Sequence, residues 1–137
     1  MSFMNRMGNA RNPYQTDAKK VLCLCSAGLL RSPTLANVLH QEWGYNTRAA
    51  GVSQEYALVQ IDPVLIRWAD EIVCVEKEVA DQFKQRFAYE LTAATKIVVL
   101  AVPDEYEWNA PELRAIIKKQ YADKFIMEKA FGEETTN

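Results

Sequence analysis

The sequence predicts an α/β domain built on a parallel sheet of about four strands with helices on both faces. Short apolar runs alternate along the chain with stretches of helical periodicity, the pattern of repeated strand–helix–strand units. The first run, Val21 to Cys25, lacks polar alternation, as a strand buried on both faces requires, and it leads into a small-residue loop and then a helix. At 137 residues, 49% hydrophobic and 25% charged, the chain fits one core and has no room for a second of ordinary size. Right-handed crossovers would join the strands, and ligands of such sheets bind beyond the strands' carboxyl ends.

Each element has its own signal. Residues 1–19 hold no apolar periodicity and read as a flexible leader, with the domain spanning 20–131. Ser32 followed by Pro33 reads as a cap and first helical position, and Leu35, Val38, Leu39 and Trp43 then share one face up to Gly44. Asn46 to Ala50 can form a second strand, closed by Gly51, and Ser53 to Ile61 reads as a long loop or partial helix. Asp62-Pro63 repeats the cap-then-proline signal ahead of a short helix through Ala69. Glu71 to Val75 is the third strand, and Val79, Phe83 and Phe87 mark a helical stripe within Glu78 to Phe87. Lys96 to Val102 is the most β-like run and stops at Pro103. Asn109 to Glu112 has capping-box spacing before a long amphipathic helix through Leu113, Ile116, Ile117, Tyr121 and Phe125, and residues 132–137 read as a polar tail.

Several function classes are disfavoured at once. Sixteen basic and eighteen acidic residues leave a net charge of −2, so the total does not favour nucleic acid. The longest wholly apolar run, Ile97 to Val102, is far short of the roughly 20 residues of a membrane helix, and no export signal is read at the N-terminus. Three cysteines, two of them in one apolar run, do not form a disulfide framework, so a reducing cytoplasm is the expected setting. One histidine and a Cys-x-Cys pair give no zinc spacing, and nucleotide-binding glycine motifs are lacking, so no metal and no cofactor is expected.

Chemistry concentrates where the first strand ends, in Cys25-Ser26-Ala27-Gly28-Leu29-Leu30-Arg31-Ser32-Pro33. A loop between a strand and a helix N-terminus turns successive backbone N–H groups inward, a cradle for a tetrahedral oxyanion that the helix dipole reinforces. Gly28 lets that loop take a left-handed backbone conformation without a Cβ clash. Cys25 at the base of the cradle meets those N–H groups, the dipole and Arg31, all of which favour thiolate over thiol and make it a candidate nucleophile. The planar Arg31 guanidinium can clamp two phosphoryl oxygens in a way a lysine cannot.

This stretch resembles the phosphate loop of the low-molecular-weight protein tyrosine phosphatases, a cysteine followed after five residues by Arg-Ser. The Arg48 to Val52 stretch is similar to that family's Ser-Ala-Gly-Thr segment, and Trp68 to Val73 to its Ala-Asp-hydrophobic strand start. The family's general acid is an aspartate in an Asp-Pro-Tyr context after the last strand. Val102-Pro103-Asp104-Glu105-Tyr106 stands there, so the resemblance implies Asp104 as acid and Tyr106 as an aromatic of the pocket rim. Matching segments run in family order from about Lys20 to about Leu113. Leu30 occupies the place of a second loop cysteine found in many members, and Glu105 the place of the proline.

The resemblance implies a metal-independent phosphomonoesterase acting on a phosphotyrosine protein or a small aryl phosphomonoester. Cys25, Arg31 and Asp104 are its catalytic residues, with Ser26, Ala27, Gly28, Leu29, Leu30, Ser32 and Tyr106 binding substrate; Ser32, besides capping the helix, is expected to donate to the thiolate. Two other classes stay open: an arsenate reductase on the same fold, which needs a relay of further cysteines, and a non-catalytic phosphate- or phosphotyrosine-binding module. The lone His40 reads as an ordinary mid-helix histidine, and Cys23 and Cys74 as buried packing residues. Whether either protects Cys25 from oxidation is open from sequence. Tyr106 and Trp108 can be rim aromatics or packing against the last helix.

Overall fold

A computed structural model gives the architecture and describes residues 18–26, 31–53, 60–92 and 95–135, with side chains as far as 124. Four parallel strands, β1 (Lys20–Cys25), β2 (Asn46–Gly51), β3 (Glu71–Cys74) and β4 (Lys96–Val99), form one sheet in the order β2-β1-β3-β4. Helices α1 (Arg31–Trp43), α2 (Pro63–Trp68) and α3 (Lys77–Arg86) make the crossovers, and α4 (Pro111–Thr135) closes the domain. The expected fold class is the one observed.

Strand β1 is central and fully buried on both faces: Val21, Leu22, Cys23 and Leu24 expose no surface. That burial explains the missing polar alternation. Helix α1 lies on β1 and β2 and also packs against α4, while α2 and α3 share contacts with the 3-10 turn Ala88–Glu90. The chain leaves β1 toward β2 and returns to its other side as β3. The carboxyl end of β1 is therefore the topological switch point, where a crevice opens between loops leaving in opposite directions.

Several local expectations need correction. Helix α1 starts at Arg31, so Ser32 lies inside the first turn rather than capping it, and its hydroxyl faces the Cys25 sulfur instead. Asp62 does cap α2, accepting from Leu65 N at 2.9 Å with Pro63 at the first position. Asn109 does not close a capping box: its backbone is left-handed, with φ of 62°, and its N–H donates to Thr34 Oγ1. Ladder β4 ends at Val99 rather than Val102, although Leu100 N and Val102 N still donate to Cys74 O and Val75 O; Ala101, between them, gives its N–H and C=O to the Gln120 side-chain amide.

Residues 18 and 19, expected within the leader, pair with the sheet. Lys19 O accepts from Asn46 N, Ala18 O from Asn46 Nδ2, and Lys19 Nζ pairs with Glu71, so residues 18 and 19 are tied to the sheet. Residues 1–17 lie outside the described residues, as do 54–59 of the expected loop. At the other end α4 continues through Thr135, past the boundary placed at 131. No helix among the described residues is long and apolar enough to cross a membrane.

Candidate active site

The site sits at the switch point. Cys25, the last residue of β1, is 4% exposed, and its Sγ lies 3.1 Å from Ser32 Oγ in the first turn of α1. Pairing beside β1 continues past the end of β2 and anchors the start of the loop: Val52 N donates to Cys25 O at 2.9 Å and Ser53 N to Ser26 O at 3.0 Å. One end of the loop is thereby fixed to the sheet, and the other is fixed by the first turn of α1. Ala27, Gly28, Leu29 and Leu30, between these anchors, lie outside the described residues.

Arg31 is buried, at 6% exposure, with its guanidinium held from three sides. Nη1 donates to Val102 O at 3.0 Å and lies 3.1 Å from Glu76 Oε2, while Nη2 reaches Glu76 Oε1 at 3.4 Å. On the other edge, Nε stands 3.6 Å from Asp104 Oδ1. A buried guanidinium needs such partners, because an unpaired buried charge costs several kcal/mol. The structure thus brings Cys25, Arg31, Ser32 and Asp104 to one place.

Asp104 is two-thirds exposed, at 66%, on the segment after β4. That segment starts from an apolar peg: Val102 is buried and its N–H donates to Val75 O at 2.8 Å. Tyr106 is half-buried and packs on the edge of the core, whereas Trp108, two residues on, is exposed. Of the two aromatics, Trp108 is the one displayed to solvent.

The remaining reactive side chains lie apart from this geometry. His40 sits about two and a half turns along α1 from Arg31, its Nδ1 2.9 Å from Tyr45 O, which satisfies it locally. None of the three cysteines is in a disulfide. Burial, reinforced by Glu71, pushes the Cys23 thiol above its ordinary value, and burial pushes Cys74 up to about 12 against a smaller opposing pull from Lys84. Both are therefore thiols at neutral pH. Cys74 is registered with Leu24, so strand alternation sends its side chain to the sheet face opposite Cys25.

Two groupings escaped the sequence reading. Glu76, the partner of Arg31, lies just past the strand that neighbours β1. Strand order would have nominated it, since any residue just past the carboxyl end of β3 borders the switch point. Glu71 is a carboxylate 1% exposed at the opposite end of β3, paired with Lys19 and Lys96 and accepting from Tyr121 OH at 2.8 Å. It locks the sheet to α4 and the segment before β1, far from the site, and no pattern in the sequence marks it.

Comparison with models of protein families and with curated protein sequences gives no match. Solved structures do match. The YwlE arginine phosphatase from Geobacillus stearothermophilus aligns at TM-score 0.57 and 19% identity, over 82% of this chain and 96% of that one. The tyrosine phosphatase Wzb from Escherichia coli K30, in complex with phosphate, aligns at TM-score 0.57 and 19% identity, over 78% and 98%. Vibrio vulnificus Wzb, in complex with benzylphosphonate, gives 0.56 and 19%, over 75% and 91%. The chain has the low-molecular-weight phosphatase fold that its motifs implied.

Proposed function

We propose that this protein is a cysteine-dependent phosphomonoesterase, acting on phosphotyrosine or a related aryl phosphate. The observation that carries the reading is the 3.1 Å approach of Ser32 Oγ to Cys25 Sγ at the switch point of the sheet, with Arg31 buried beside it. A hydroxyl at that distance can donate to the sulfur when it departs as a thiolate, and a fixed guanidinium favours a dianion in front of it.

In this mechanism Cys25 Sγ attacks phosphorus as the P–O bond to the leaving group breaks, giving a cysteinyl phosphate. Backbone N–H groups from Ser26 through Ala27, Gly28, Leu29 and Leu30 to Arg31, with the Arg31 side chain, hold the equatorial oxygens where charge accumulates. Asp104 gives its proton to the leaving oxygen. Water then attacks phosphorus, the P–S bond breaks, Asp104 takes the water's proton, and the Ser32 hydroxyl stabilises the departing thiolate.

The arsenate-reductase reading loses ground because Cys74 projects from the opposite sheet face and both other cysteines are buried, unreactive thiols. The exposed carboxylates Asp104, Glu105 and Glu107 suit a cationic leaving group as well as an aryl one, and an arginine phosphatase shares the fold. Phosphoarginine is therefore the second substrate class to test.

The experiment is hydrolysis of an aryl phosphate and of phosphoarginine in the presence of a chelator, with vanadate as competitor. Turnover that vanadate suppresses supports the reading, and the faster substrate fixes its class. Phosphate binding without turnover of either would leave a binding module.

A further inference from the structure

The segment that carries Asp104 is held at both shoulders by side chains of α4. On the strand side, Gln120 takes both backbone groups of Ala101, donating to its carbonyl at 2.9 Å and accepting from its N–H at 2.7 Å. On the far side, the Arg114 guanidinium spans from the loop to α1. Nη1 donates to Asn109 Oδ1 and, at 2.6 Å, to Asn37 Oδ1, and Nη2 donates to Gln41 Oε1 at 2.9 Å. Asn109 is further tied to α1 by its N–H, which Thr34 Oγ1 accepts at 2.8 Å. Thr34, Asn37 and Gln41 fall on one face of the helix whose first turn supplies Arg31 and Ser32.

We infer that Arg114 is a positioning residue for Asp104, a latch joining the end of the acid-bearing segment to the helix that carries Arg31. The inference rests on the reading of Asp104 as general acid. Between the two shoulders Val102 pegs the strand side, buried and bonded to Val75 and Arg31, and Tyr106 packs on the core, while Asp104, Glu105, Glu107 and Trp108 are exposed, so the far side of the segment depends on the latch. Asn109 takes a left-handed φ of 62°, a conformation that asparagine tolerates and most residues resist, so the turn that redirects the chain into α4 is set at the latched residue. A guanidinium fixed on α1 by Asn37 and Gln41 gives Asn109 Oδ1 a rigid donor, and with the Thr34 contact to the Asn109 N–H it holds that turn at two points. Proton delivery is sensitive to such placement, since a displacement of about 1 Å can cost on the order of 10²-fold in rate.

The test is the leaving-group dependence of aryl phosphate hydrolysis in the full chain, for Arg114→Met, Asn109→Gly and Asp104→Asn. Glycine keeps the positive φ while deleting the amide, so it serves if loss of the arginine compromises folding, which thermal melting reports. Arg114→Met and Asn109→Gly should slow poor leaving groups by about ten- to a hundredfold in kcat, leave good leaving groups and vanadate inhibition unchanged, and add no further loss to Asp104→Asn. A loss equal for all leaving groups, or one fully additive with Asp104→Asn, would make the latch merely structural and overturn the inference. An unchanged slope in Asp104→Asn, or no turnover by the wild type, would instead overturn the reading of the acid, and the inference with it.

Discussion

Arg31 and Glu76 meet end-on, with Nη1 3.1 Å from Oε2 and Nη2 3.4 Å from Oε1. Held there, and by the Val102 carbonyl on Nη1, the guanidinium is left with the edge carrying Nε as the side that can meet a phosphoryl group. Asp104 Oδ1 stands on that edge at 3.6 Å, so under the proposed function an entering dianion would displace that carboxylate from Arg31.

Glu76→Ala should therefore lower kcat/KM for aryl phosphates by about tenfold, the size of one hydrogen bond to a charged group reduced by the partial exposure of Glu76. Steady-state kinetics decide it. An unchanged kcat/KM would mean that the Val102 carbonyl alone fixes Arg31.

The Cys25–Ser32 contact makes a separate prediction about the second chemical step, in which the thiolate is the leaving group. Ser32→Ala should slow breakdown of the cysteinyl phosphate by roughly tenfold, one hydrogen bond to an anion, and so slow the steady state that follows the burst of a good aryl leaving group without reducing the burst. Loss of the burst amplitude itself would place Ser32 in the first step instead.

Asp104→Asn should slow substrates with poor leaving groups by roughly 10²–10⁴-fold and spare good ones, because only the former need a proton from the enzyme. A plot of log rate against leaving-group pKa should steepen, and the limb of the pH profile belonging to the acid should vanish. Parallel plots would shift the role to Glu105 or Glu107.

The buried ionisable groups predict alkaline destabilisation. Burial raises Cys23, Cys74 and Tyr121 in the folded protein, with Glu71 adding to the effect on Cys23 and Tyr121, and Cys74 is pushed up to about 12. The folded state keeps protons that the unfolded chain releases above about pH 8.5 for a thiol, so stability is full below that pH and falls as pH rises toward the folded values. Each thiol contributes a slope of up to about 1.4 kcal/mol per pH unit. Urea midpoints measured from about pH 8 to about pH 11 should fall, and Cys74→Ala should flatten the slope. A midpoint constant over that range would contradict the burial of these groups.

The parts of the structure legible in sequence are those written in periodicity and covalent chemistry. The unbroken apolar run of β1, the Asp62-Pro63 cap of α2 and the spacing of Cys25 to Arg31 each carry a local physical signal. What stayed hidden depends on contacts between distant segments. Of the two roles read for Ser32, the contact with the Cys25 sulfur is present while the cap is not, because α1 begins at Arg31. Asn109 read as a capping-box residue, but Arg114 and Thr34 claim its side chain and backbone. Glu76 and Glu71 are ordinary charged residues until strand order brings Arg31 to one and Lys19, Lys96 and Tyr121 to the other.

The most direct test is to quench the reaction with an aryl phosphate in acid within a turnover and locate the phosphate by peptide mass spectrometry, in the wild type and in Cys25→Ser. The account predicts phosphate on Cys25 in the wild type, and in the serine variant no turnover with phosphate-analogue binding retained. Phosphate on no residue, or substantial turnover by Cys25→Ser, would contradict it.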